Sequence, residues 1–112
     1  MQISQKELEE LVYQKLRKLP EAFKKKIENV EFFVEDGTNP NLLGLYTGIP
    51  FGKRKNISYS MVMPDKIILY RKPLEAICHT QKELETMVEK ILYHEIAHYF
   101  GFTEEELHNL NY

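Results

Sequence analysis

Apolar residues recur at helical spacing near both ends of the chain, with polar residues between them. Near the N-terminus this period predicts a helix that begins after Ser4 and runs to about Lys18. Its apolar stripe consists of Leu8, Leu11, Val12 and Leu16. Towards the C-terminus the period predicts a long helix from Thr80 to about Phe100. The first members of that stripe are Leu84, Met87, Val88 and Ile91.

Three helix starts share one signal, a Ser or Thr followed three residues later by a Glu. The pairs are Ser4 with Glu7, Thr80 with Glu83, and Thr103 with Glu106. In such a capping box the hydroxyl accepts a hydrogen bond from the first helical turn, and the carboxylate accepts one from the N–H of the cap residue. Gly101 is expected to end the long helix, because glycine adopts the left-handed conformation at little cost. Pro20 favours a short second helix through Phe23 and Ile27.

The middle of the chain contains short runs rich in β-branched and aromatic residues, which predict strands. These runs are Val30–Val34, Ile57–Tyr59 and Lys66–Tyr70. The segment Thr38–Lys55 mixes Gly and Pro with scattered apolar residues, so we expect an irregular connection with a short extended piece near Leu45–Tyr46. A short helical turn is expected after Pro73. Strands in the middle and helices at both ends predict an α+β fold.

Composition narrows the class of protein. The 112 residues suit one domain spanning 1–112, and 43% hydrophobic with 29% charged residues is ordinary for a globular protein. A net charge of −2 gives no reason to expect a nucleic acid or an acidic membrane as partner. Cys78 is the only cysteine, which excludes an intramolecular disulfide and a multi-cysteine zinc site. Without an apolar signal core or a spanning segment, we expect the protein to remain in the cytoplasm.

Residues 94–98 of the predicted long helix read His-Glu-Ile-Ala-His, the HExxH pattern of zinc hydrolases. Residues four apart lie on the same helix face, so His94 and His98 can bind one ion. Zinc lowers the pKa of a bound water to about 7 and polarises a carbonyl group. Glu95 is placed to take a proton from that water and pass it to the leaving group.

The position of this pattern on the helix adds support. Steps of seven residues from Met87, Val88 and Ile91 reach the two histidines and Glu95, so the pattern continues the apolar stripe. Ionisable groups on a core-facing stripe are costly unless a partner compensates them. A metal ion would do so, and a hydrogen-bonded pair of structural histidines is the alternative.

A catalytic zinc usually has three protein ligands and one open position. Glu104 lies ten residues after His94, where HExxHxxGxxH enzymes place their third histidine. Glu105, Glu106 and His108 lie close by in sequence, and acids in a first helical turn also suit the helix dipole. We predict Glu104 as the third ligand, with His108 as the alternative.

Several short motifs occur in a fixed order along the chain. They are Leu19-Pro20 with Phe23, Asn29-Val30, Val34-Glu35-Asp36, Leu42-Leu43-Gly44-Leu45-Tyr46, Pro64-Asp65 with Ile68 and Tyr70, Pro73-Leu74, and His94 to Gly101. Together they resemble the small bacterial zincin-like metallopeptidases, also called minimal metalloproteases or minimal metzincins. The resemblance implies a small mixed sheet packed against the metal-binding helix, and a zinc site of His94, His98 and an acidic third residue, here Glu104. The chain departs from larger metzincins in two ways: Glu104 replaces the third histidine, and no methionine follows it to form a Met-turn.

The leading hypothesis is therefore a zinc-dependent peptidase with Glu95 as general base. Its peptide substrate is expected to lie along an edge strand, with Lys66–Tyr70 as the candidate. One alternative is metal-dependent hydrolysis of another substrate such as RNA. The slight negative charge and the presence of a single basic cluster, Lys53–Lys55, count against this alternative. Another is a metal-stabilised binding module without turnover.

Overall fold

The computed structural model describes residues 1–27, 29–48 and 64–110. Its elements in chain order are α1 (Gln5–Arg17), α2 (Glu21–Lys26), β1 (Val30–Glu35), β2 (Gly44–Thr47), β3 (Asp65–Tyr70), α3 (Arg71–Ile77), α4 (Gln81–Tyr99) and α5 (Glu104–Asn109). These elements confirm the predicted α+β class. The predicted strand Ile57–Tyr59 and the basic cluster Lys53–Lys55 lie outside the described residues.

The three strands form one mixed sheet in the order β1-β3-β2. β1 pairs with β3 in parallel, from Val30 with Asp65 to Glu35 with Tyr70. β2 pairs with the opposite side of β3 in antiparallel register, from Gly44 with Leu69 to Thr47 with Lys66. The prediction that Lys66–Tyr70 is an edge strand is therefore wrong, because β3 is hydrogen-bonded on both sides. Its nearly continuous apolar run, Ile67 to Leu69, is typical of a strand in the centre of a sheet.

Helix α4 packs on this sheet and supplies much of the core. It contacts β2, β3 and α1, and its buried residues are Leu84, Val88, Ile91, Leu92, Glu95, Ile96 and Tyr99. Glu95 thus lies on the buried face, as the seven-residue steps predicted, while His94 and His98 are partly exposed at its margin. None of the described helices combines the length and the apolar character that crossing a bilayer requires.

The three predicted caps all start helices, but only one forms a complete capping box. The hydroxyls of Ser4, Thr80 and Thr103 each accept a hydrogen bond from the backbone N–H three residues on. Only at Thr103 does the Glu side chain accept a bond from the N–H of the cap residue, at 3.1 Å. Glu83 instead accepts one from the N–H of His79, at 2.9 Å.

The end of α4 is a Schellman motif centred on Gly101. Gly101 has φ +98°, and its N–H donates to the His98 carbonyl at 2.9 Å. The N–H of Phe102 donates to the Ala97 carbonyl at 3.0 Å. The sharp reversal turns the chain back along α4, and this places the start of α5 beside the histidines.

Gly101→Ala should destabilise the metal-free protein by about 1 kcal/mol, because an L-residue pays for the left-handed conformation. Apart from Gly101 and its two chain neighbours, the described residues place no atom within 4 Å of an added Cβ, so the backbone conformation sets the cost. Urea denaturation of Gly101→Ala and Gly101→Asn measures it, since asparagine tolerates this conformation better. Equal stabilities of the two variants would contradict the explanation.

Candidate metal centre

His94 and His98 lie one turn apart on α4, and their side chains face each other. The ring centroids are 4.9 Å apart, and the two Nε2 atoms are separated by 3.3 Å. Two ligands of a tetrahedral zinc, each about 2.0–2.1 Å from the ion, are about 3.3–3.4 Å apart. The helix alone therefore presents the two nitrogens at the separation that one zinc ion requires.

Glu104, the first residue of α5, completes the group. Its Oε1 lies 2.6 Å from Nε2 of His98 and 3.0 Å from Nε2 of His94. The hydrogen bond from His94 holds the pKa of the Glu104 carboxyl below its ordinary value, and the His98 ring acts in the same direction. Within residues 1–27, 29–48 and 64–110, these three side chains form the one group that could hold a metal, and His108 does not belong to it. The structure thus brings the predicted ligands together.

The orientation of the His98 ring is set by a contact that the sequence did not reveal. Its Nδ1 lies 2.8 Å from the carbonyl oxygen of Phe102. A carbonyl oxygen only accepts hydrogen bonds, so Nδ1 carries a proton, and deprotonation of the ring at Nε2 would leave that lone pair for a metal. Metal-ligating histidines commonly have such a partner on the other ring nitrogen. Gly101 thereby places both this carbonyl and Glu104 around the site.

The donor set fits a zinc ion. Two imidazole nitrogens and a carboxylate oxygen, each a lone-pair donor when deprotonated, lie within 4.8 Å of one another. The His–Glu distances are shorter than the ligand separations of a zinc site, but the Glu104 side chain is 74% exposed and has room to withdraw. Three protein ligands would leave one position of a four-coordinate zinc for water or substrate.

Glu95 lies beside this group but points into the protein. The residue is only 8% exposed, and burial raises the pKa of its carboxyl above the ordinary value of 4.5. The neighbouring His94 and His98 oppose this rise, as does a hydrogen bond donated by the backbone N–H of Tyr46. Glu95 is therefore buried and does not belong to the group formed by His94, His98 and Glu104.

The contact between β2 and α4 depends on Gly44. A Cβ at Gly44 would come within 2.6 Å of Ile91 Cγ2 and 3.6 Å of Glu95 Cγ. Only glycine lets the strand approach the helix this closely without displacing Ile91. Sequence reasoning missed both Gly44 and Tyr46, although a glycine inside a strand is a general sign of close backbone approach.

Zinc affinity should distinguish the three side chains of the candidate metal site from neighbouring residues that do not belong to it. His94→Ala and Glu104→Ala should each weaken zinc binding by more than about 100-fold, which exceeds the loss typical of outer-shell changes. His108→Ala, also on α5, should bind zinc like the parent. Titration against a chromophoric chelator gives the dissociation constants. Full affinity of Glu104→Ala would show that the third ligand lies elsewhere.

Burial of Glu95 also predicts a dependence of stability on pH. Because its pKa is raised in the folded state, the unfolding free energy of the metal-free protein falls as pH rises from about 4.5 through the folded pKa. Glu95→Gln removes this loss, so it should be more stable than the parent at pH 7 and should lose that advantage below about pH 4. Urea denaturation with chelator across this range provides the test, with exposed Glu105→Gln as the control. Equal stability of Glu95→Gln and parent at pH 7 would refute the argument.

Comparison with known proteins agrees with the geometry. The sequence model of the zincin-like metallopeptidases matches residues 24–112, a range that contains the whole sheet and helices α3 to α5. No curated protein compared with the chain matches it. The match covers most of the chain, including both histidines, Glu95 and Glu104. The chain therefore belongs to the zincin-like metallopeptidase family.

Proposed function

We propose that this protein is a zinc-dependent peptidase in which Glu95 is the general base. The observation that carries the proposal is the placement of Glu95. Its carboxylate is buried and held by the β2 backbone, next to three side chains that converge on one point. A structural histidine pair would not need a buried carboxylate beside it, since burying a charge is costly.

His94, His98 and Glu104 would hold the ion. When bound, zinc supplies Lewis-acid chemistry, because it acidifies water and polarises a carbonyl oxygen. The Phe102 carbonyl keeps the His98 ring in the tautomer that offers Nε2. Two neutral imidazoles and one carboxylate would partly neutralise the charge of the ion and leave a net positive site for a developing oxyanion.

Glu95 would move the proton. The raised pKa makes its carboxylate a stronger proton acceptor than an exposed glutamate. It would accept a proton from the attacking water and donate it to the amine that leaves. The carboxylate has about four lone-pair sites that can accept hydrogen bonds, and the Tyr46 N–H uses one of them. The remainder is available for water.

We place the peptide substrate along the edge strand β2. The strand first considered for this role, β3, lies in the centre of the sheet. The N–H of Tyr70 donates to the Leu43 carbonyl at 3.0 Å, which fixes the alternation of the ladder. Backbone groups of Leu45 and Thr47 then face β3, whereas those of Gly44 and Tyr46 face the other edge. Among the described residues no strand pairs with that edge. A peptide added there would run past the base.

Zinc-loaded Glu95→Gln should lose hydrolytic activity by about 10²–10⁴-fold while it binds zinc like the parent. Cleavage of a proteome-derived peptide mixture, mapped by mass spectrometry, measures activity without a known substrate. His108→Ala is the matched control and should keep full activity. Chelator and His94→Ala should both abolish cleavage.

The same preparations discriminate the alternatives. If Glu95→Gln cleaved peptides as fast as the parent, the proposed mechanism would be wrong. Chelator-sensitive degradation of RNA without peptide cleavage would favour the other hydrolase. A non-catalytic, metal-stabilised module predicts that Glu95→Ala leaves the biological function intact and that His94→Ala unfolds or disables the protein.

A further inference from the structure

We propose that Asp65 and the hydroxyl group of Tyr46 form a positioning pair that holds Glu95 through the backbone of β2. The inference rests on the proposed function, because it assigns how the general base of that reaction is kept in place. It adds two side chains that lie outside the metal-ligating group and the HExxH segment.

The pair crosses two neighbouring strands on one face of the sheet. Tyr46 of β2 lies opposite Ile67 of β3, and Asp65 lies two residues before Ile67. Side chains two apart in a strand share a face, so Tyr46 and Asp65 are diagonal neighbours. The Tyr46 hydroxyl donates to Asp65 Oδ2 at 2.5 Å, and Asp65 is only 1% exposed. A hydrogen bond to a buried carboxylate is among the stronger side-chain bonds.

Asp65 is itself fixed at the start of β3. Its N–H donates to the Asn29 carbonyl at 2.9 Å, just before β1. A Cβ at Gly48 would overlap the Asp65 carboxyl group, so the chain leaving β2 passes directly against Asp65. Asp65 therefore ties the C-terminal end of β2 to the centre of the sheet.

Tyr46 transmits this anchor to Glu95. Its ring packs edge-on against the buried Tyr99 of α4, with centroids 6.2 Å apart. The β2 backbone lies against Glu95, since a Cβ at Gly44 would come within 3.6 Å of Glu95 Cγ, and a backbone hydrogen bond from Tyr46 acts on the Glu95 carboxylate. One residue thus bonds Asp65 through its side chain and Glu95 through its backbone. β2 is only four residues long, so a shift of Tyr46 would displace the amide that orients the base.

The test is a double-mutant cycle read by NMR on the metal-free protein. In the parent, Glu95→Ala should move the amide proton of residue 46 upfield, because the carboxylate acceptor is removed. In the Tyr46→Phe background, the same Glu95→Ala change should produce less than about half that shift. Tyr13→Phe, on the exposed face of α1, should leave the full shift.

A second variant separates positioning from stability. Tyr46→Phe leaves a buried carboxylate with one donor fewer, which destabilises the fold. Tyr46→Phe/Asp65→Asn removes that buried charge and should recover stability without recovering the Glu95-dependent shift. Asp65→Asn alone retains an acceptor oxygen for the Tyr46 hydroxyl and should keep most of the shift.

Kinetics of the zinc-loaded protein complete the test. Tyr46→Phe/Asp65→Asn should lower kcat by about 10-fold, with zinc affinity within about 2-fold of the parent, because a misplaced base slows the chemical step. A full Glu95-dependent shift in the Tyr46→Phe background would overturn the assignment. Because the NMR readout needs no turnover, an inactive parent would overturn the proposed function and leave this inference to be decided by the shift.

Discussion

The close packing of α4 on β2 at Gly44 is the constraint on which the rest of the site depends. At this point a Cβ would come within 2.6 Å of Ile91, so the strand backbone itself forms the wall beside the helix. One turn further along α4, Glu95 meets the Tyr46 N–H. A wider gap would leave the carboxylate buried without a donor, which is costly in a low-dielectric interior. Gly44 therefore allows the strand to approach closely enough for the Glu95 carboxylate to be buried with a hydrogen-bond donor beside it.

The second constraint is the reversal at Gly101, which acts on the opposite side of the histidines. Its left-handed conformation closes the Schellman motif and sends the chain back over α4. The Phe102 carbonyl then fixes the ring of His98, and Glu104 reaches both Nε2 atoms from the start of α5. Glu95 and Glu104, the proposed base and the proposed third ligand, are thus placed by separate parts of the fold. Substitutions in the turn at Gly101 should therefore affect metal binding, whereas substitutions in β2 should affect the proposed proton transfer.

Local signals in the sequence predicted the helices and the ligand group well. The caps at Ser4, Thr80 and Thr103 mark the starts of α1, α4 and α5, because capping depends on neighbouring residues only. Helical spacing likewise predicted that the two histidines face each other. The position of β3 in the sheet was predicted wrongly. The sequence of the strand that ends at Tyr70 does not reveal whether it pairs with one neighbouring strand or with two. The Tyr46–Glu95 contact joins residues 49 apart and leaves no local pattern.

The site combines groups with opposite effects on stability. The partly exposed histidines at the margin of α4 and the exposed Glu104 cost the fold little stability, because water can solvate them. Glu95 has the opposite effect, since burial raises its pKa and makes the ionised form less favourable than in an exposed glutamate. A protein selected for stability alone would place an uncharged residue there. This cost gives a reason for the pair formed by Tyr46 and Asp65. These polar residues on the inner face of the sheet extend from Glu95 to the start of β3. In our proposal they hold in one conformation a carboxylate whose burial is otherwise unfavourable.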